Sequence, residues 1–188
     1  HPVFPAAMGG WRDPSNTQAD LRDAFTAAGK KYTDQLEDLD KWASDSMSAV
    51  PEQHRVLFSS HDAFGYFSNE YGVKFIGSAL SDFNHQQDAT SSHIDEQVKK
   101  VRESGAKAIF AENSNNSKSI EAIARAAGVK AVTSDDALYG DSLGVPGSEG
   151  ETYIGSIVHN INTLVSAWDS KQQPLPESLQ EFDFAKRK

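Results

Sequence analysis

Four short apolar runs set the plan of this chain: Val56-Leu57-Phe58, Val73 to Ile76, Ala106 to Ala111, and Val129 to Val132. The first three each lead through polar residues into a stretch whose apolar positions recur three and four apart. These are Ala63, Phe64, Phe67 and Tyr71; then Ile94, Val98 and Val101; then Ile120, Ile123, Ala124 and Ala127. After the fourth run comes a long loop, Thr133 to Gly150, and then a last helix with a one-sided stripe through Ile154, Ile157, Val158, Ile161, Leu164, Val165 and Trp168. Strands alternating with helices predict an α/β fold: a four-stranded, mainly parallel sheet with right-handed crossovers, flanked by helices.

A much longer helical pattern comes first. Leu21, Ala24, Phe25, Ala28, Tyr32, Leu36, Leu39, Trp42, Ala43 and Met47 keep the helical step until Pro51 stops it. Such a helix runs to roughly 50 Å, long for a globular protein, with Gly29 as a weak point. The expected organisation is a loop or remnant of an upstream segment over 1–16, a long backbone helix over 17–50, an α/β lobe over 51–170, and a loosely held, proline-bearing tail over 171–188.

Composition narrows the function. Lys and Arg number 18 against 27 Asp and Glu, a net charge of −9, which argues against a nucleic-acid partner. No apolar run approaches the ~20 residues that span a bilayer. Cysteine is absent, so thiolate metal sites, disulfides and a cysteine nucleophile are excluded. His1 is not an initiator residue and no signal peptide is visible, so the sequence is expected to begin inside a longer precursor or to be a processed product.

Ligands of open α/β sheets gather at the carboxyl ends of strands. Those ends here offer Ser59-Ser60-His61-Asp62, the loop after Ile76, Glu112, and a final loop with Asp135, Asp136 and Asp141. Imidazole with carboxylates suits zinc or manganese. Each residue also has a plainer reading: His61 as a helix-start group bonded to local backbone, Asp141 as part of a Gly-Asp-Ser turn, Glu112 as a cap for the next helix. His54, His85, His93 and His159 read as solvent-facing or on polar faces. Ser60, His61 and Asp62 are adjacent and so do not form a nucleophile–base–orienter triad. No glycine-rich phosphate loop is present.

HDAFGYFSNEYGV, AIFAENSNNSKSIEAIARAAGV and LYGDSLG, in this order, resemble the carboxyl-terminal lobe of the zinc/manganese solute-binding proteins of bacterial ABC transporters. The resemblance runs from about Thr17 to Asp169, and the long helix is similar to the rigid helix that links the two lobes of that family. It implies a non-enzymatic protein of the periplasm or a cell-surface lipoprotein, binding Zn2+ or Mn2+ and delivering it to an ABC permease. On this resemblance His61 is the third metal ligand and Asp141 the carboxylate ligand, while Glu112 is structural.

The departures from the family pattern are as informative. The first two histidines of the family belong to an amino-terminal lobe that this sequence lacks. Trp11-Arg12-Asp13-Pro14 matches the end of the H-x-W-x-D-P motif, but Gly9 stands where its histidine should be, and His1 is the one candidate to replace it. The resemblance therefore implies an incomplete site of two ligands, a weak binder unless a partner or missing segment completes it. The alternative expectation is a metal-deficient lobe serving as an interaction or adhesion domain.

Overall fold

The structure, a computed structural model, describes residues 18–80 and 91–184. The expectations for residues 1–16, including His1 and Gly9, and for His85 lie outside the described residues. The first helix, α1 (Gln18–Ser48), runs for 31 residues and passes through Gly29 unbroken. It ends two residues before Val50, ahead of Pro51. The chain divides into two compact units, residues 1–38 and 39–188. Everything described below belongs to the second.

That unit alternates β1 (Val56–Ser59), α2 (Gly65–Glu70), β2 (Lys74–Ser78), α3 (Ser91–Ser104), β3 (Ala108–Phe110), α4 (Lys118–Ala127), β4 (Lys130–Val132) and α5 (Tyr153–Ala167). All the pairing among the described residues is parallel, as the alternation predicts. The expected four strands are present, but they pair as two ladders, β1 with β2 and β3 with β4. β1 lies beside β3, yet the two ladders are not joined by a backbone ladder among the described residues. The β1–β2 register also shifts between Leu57 and Phe58.

β1 and β3 are buried at every position, which is why their runs do not alternate, whereas β2 and β4 each open on an exposed lysine, Lys74 and Lys130. Side chains at successive positions still go to opposite sides, so every second one shares a face. Val56, Phe58, Ile109 and Ala111 join Val98, Val101, Ile120, Ile123 and Ala124 of α3 and α4 in one core cluster. On β3 the intervening Phe110 meets Trp168 edge-on, with ring centroids 6.3 Å apart. Trp168 is fully buried and its indole N–H donates to the Val56 carbonyl at 3.1 Å, which ties the end of α5 to the start of β1.

The described part of the segment after Lys171, residues 172–184, makes specific contacts. Gln172 donates to Asn162 O and Ser166 Oγ of α5. The Trp42 indole donates to Gln173 O, and Leu179, in a 3-10 turn over Glu177–Phe182, is fully buried. Prolines fix backbone angles without setting a segment free, and here they precede a turn that buries its leucine.

Candidate metal site

His61 sits two residues beyond β1, but not on a helix: α2 begins only at Gly65, and residues 61–64 form the turn between them. The Ser59 hydroxyl donates to His61 O at 2.6 Å and fixes that turn. Glu112 stands two residues beyond β3, where it makes a lone parallel bridge with Leu138. Asp141 lies further along the same 133–150 loop. Three strand ends thus deliver three groups to one place.

The imidazole lies between two carboxylates. Its Nε2 is 2.6 Å from Asp141 Oδ2, across 80 positions of sequence. Its Nδ1 is 2.6 Å from Glu112 Oε2 and 3.1 Å from the Asn115 side-chain amide. The two carboxylates differ sharply in setting: the Glu112 side chain is 0% exposed and that of Asp141 is 66% exposed. They also sit on opposite edges of the ring, so they do not converge on one point. Among the described residues no group of three or more His, Cys, Asp or Glu is arranged to hold a metal ion.

Glu112 is a structural carboxylate. Its Oε1 accepts the His61 backbone N–H at 3.0 Å, and its own N–H donates to Ser60 Oγ at 3.2 Å. Those bonds hold the ends of β1 and β3 together. Burial raises its carboxyl above the ordinary range, and the bond from the His61 N–H pulls only partly in the opposite direction. Oε2 is close to Nδ1 but is not aligned for a hydrogen bond, and it is otherwise buried without a partner. A carboxylate at the Nδ1 edge orients a histidine whose Nε2 faces a metal.

The outer edge suits a divalent cation. Nε2 and Oδ2 are borderline and hard donors respectively, the pairing that zinc and manganese accept. Two donors on one zinc, each ~2.1 Å away at a tetrahedral angle, stand about 3.4 Å apart. Nε2 and Oδ2 are closer than that, so an ion entering here displaces their mutual hydrogen bond and parts them slightly. A shallow groove lined by Asp62, Ala63, Gly65, Tyr66, Asn69 and Asp141 opens beside the pair, and Tyr66 stands almost wholly exposed on its rim.

Of the residues picked out in the sequence, His61, Glu112 and Asp141 come together. Asp135 and Asp136 form a separate 3-10 turn, Ser134–Asp136. His159, expected on a polar face, is buried beneath the 133–150 loop: Nδ1 meets Glu149 Oε2 at 2.9 Å and Nε2 meets Ala137 O at 3.0 Å. Its neighbour Asn160 is equally hidden. The only sequence signal for either was their place in a helix buried nearly all round, which the apolar stripe alone understated.

Known proteins match this chain in sequence and fold. The family model of the zinc-uptake complex component A, periplasmic, matches residues 14–167. The manganese-binding lipoprotein MntA of Bacillus subtilis is 40% identical over 147 residues, covering 77% of this chain and 47% of that protein. The zinc-binding protein TroA of Treponema pallidum is 33% identical over 145 residues, 76% of this chain and 46% of its own length. The solved structure of the periplasmic zinc-binding protein TroA superposes with a TM-score of 0.68 at 31% identity, over 78% of this chain and 53% of that one. The chain thus spans about half the length of the relatives it matches. These relatives are metal-binding proteins of transport systems, not enzymes. The chain belongs to the zinc-uptake complex component A family, the solute-binding proteins of zinc and manganese ABC transporters.

Proposed function

We propose that this chain is the carboxyl-terminal lobe of an extracytoplasmic solute-binding protein that captures Zn2+ or Mn2+ for an ABC permease. His61 and Asp141 are two of the ligands, and the rest come from a second, amino-terminal lobe. The observation that carries the reading is the 2.6 Å meeting of His61 Nε2 with Asp141 Oδ2, backed at the other ring edge by buried Glu112. The coverage of about half of each relative supports the division into lobes. MntA is described as a manganese-binding protein and TroA as a zinc-binding one, and the donor pair here suits either ion.

Two protein ligands leave most of the coordination sphere to water, so affinity in this chain is weak. Titration calorimetry with ZnCl2 and MnCl2 tests this. Weak binding that His61→Ala and Asp141→Ala each remove is the expected result. One tight site on the 188-residue chain overturns the divided site, and binding indifferent to both substitutions overturns the assignment of the ligands.

A further inference from the structure

Asp141 is an exposed side chain on an 18-residue loop, yet it meets His61 at hydrogen-bonding distance. Something must hold that loop, because an exposed carboxylate on a free loop gains little from one surface contact. The loop rests on two adjacent residues of α5.

Asn160 is 1% exposed and grips the backbone of Tyr139, two residues before Asp141, at both polar groups. The Tyr139 N–H donates to Asn160 Oδ1 at 2.9 Å, and Asn160 Nδ2 donates to Tyr139 O at 2.8 Å. This copies the pairing of a neighbouring strand beyond the end of β4. His159, one position earlier, touches both limbs of the loop: Ala137 O on the incoming side and the Glu149 carboxylate on the outgoing side. Thr163 lies 3.5 Å from its Nε2. The Tyr139 ring stands edge-on to the imidazole at 4.9 Å. The ring also lies against Gly150, where any Cβ would fall inside its van der Waals envelope. From above, Asn113 donates to Ser142 Oγ at 3.0 Å, one residue past Asp141.

We propose that Asn160, seconded by His159, is a positioning residue for Asp141: the pair fixes the 137–150 loop from beneath and thereby sets the carboxylate against His61. The proposal rests on the reading of His61 and Asp141 as metal ligands for its effect on affinity, but not for its effect on the loop. A buried amide bonded at both ends to the backbone of one residue is costly to open, since each orphaned group would be left without water. Asn160 therefore acts on the ion through Asp141 and touches neither ligand.

The test compares the full chain with Asn160→Ala, Asn160→Asp and Asp141→Ala, and with Ser156→Ala as a buried control on α5 whose hydroxyl bonds Tyr153 O of its own helix. Asn160→Asp keeps the acceptor for the Tyr139 N–H and carries the test if the alanine variant does not fold. Three readouts are taken: amide exchange at Tyr139, the 15N shift of the His61 ring at fixed pH, and Zn2+ affinity. Expected are exchange at least about tenfold faster in Asn160→Ala, a His61 shift moved in the same direction as in Asp141→Ala, and Zn2+ affinity lower by about 10- to 100-fold, the range for lost ligand-orienting partners. Ser156→Ala leaves all three in place, and Asn160→Asp falls between. Unchanged exchange and an unmoved His61 ring in the Asn160 variants overturn the clamp. If Asp141→Ala leaves Zn2+ binding intact, the ligand assignment fails instead, and the clamp is decided by exchange and the His61 shift alone.

Discussion

Gly140 lies directly against the Glu112 carboxylate: a Cβ at position 140 would stand 2.7 Å from Oε2 and 3.5 Å from the Ala63 Cβ. The residue before Asp141 is thus held to a hydrogen side chain by the same buried acid that backs His61. Gly140→Ala must push Glu112 or lift the loop. The expected cost is about 1–3 kcal/mol, as for overpacking elsewhere, with a displaced His61–Asp141 contact seen as a change in the His61 ring resonances. Wild-type stability and an unmoved ring would refute it.

Glu112 makes stability depend on pH. Burial lifts its folded value above the ordinary 4.5, so the folded chain holds that proton more tightly than the unfolded one. Its contribution is fully present below 4.5 and is lost as pH rises through the folded value. Glu112→Gln, which still accepts from the His61 N–H, should flatten that part of the profile. Urea midpoints of both proteins from acid to neutral pH check this, and parallel curves contradict it.

Tyr71 behaves in the same sense at the alkaline end. Burial, followed by its 2.9 Å bond to Asp40 Oδ1, raises the phenol well above its ordinary 10.0. The stability it contributes is intact below pH 10.0 and is lost as pH climbs past that value. Tyr71→Phe loses the hydrogen bond, about 1 kcal/mol at neutral pH. The gap between the two proteins should close above pH 10.0, and a gap that widens there would count against the assignment.

Trp168 joins α5, β1 and β3 through one side chain. Trp168→Ala opens a cavity between them and should cost about 3–5 kcal/mol in a denaturant titration. A loss below 1 kcal/mol would mean that the site collapses around the gap, contrary to the packing described.

The strand–helix alternation was legible because period is a local property of sequence, whereas the pairing of His61 with Asp141, 80 positions apart, was implied only by the family resemblance. The division into two ladders was not legible, since Val56-Leu57-Phe58 and Ala108-Ile109-Phe110 carry the same apolar code whether a neighbour is hydrogen-bonded or merely adjacent. His159 and Asn160 were missed because polarity points outward by default. Only the partners supplied by a distant loop, Ala137, Tyr139 and Glu149, make their burial affordable.

The two ladders give the site a mechanical meaning. His61 extends from the β1–β2 pair, whereas Glu112 and Asp141 extend from the side of β3 and β4. Between the pairs run side-chain bonds at Ser60, His61 and Glu112 instead of a continuous backbone ladder. On the proposed assignment of His61 and Asp141 as ligands, an ion held by both acts as a rivet across a seam. Because a ligand that binds only the folded form adds to its stability, loading should be felt first as slower opening of β1 against β3, at a distance from the ion itself.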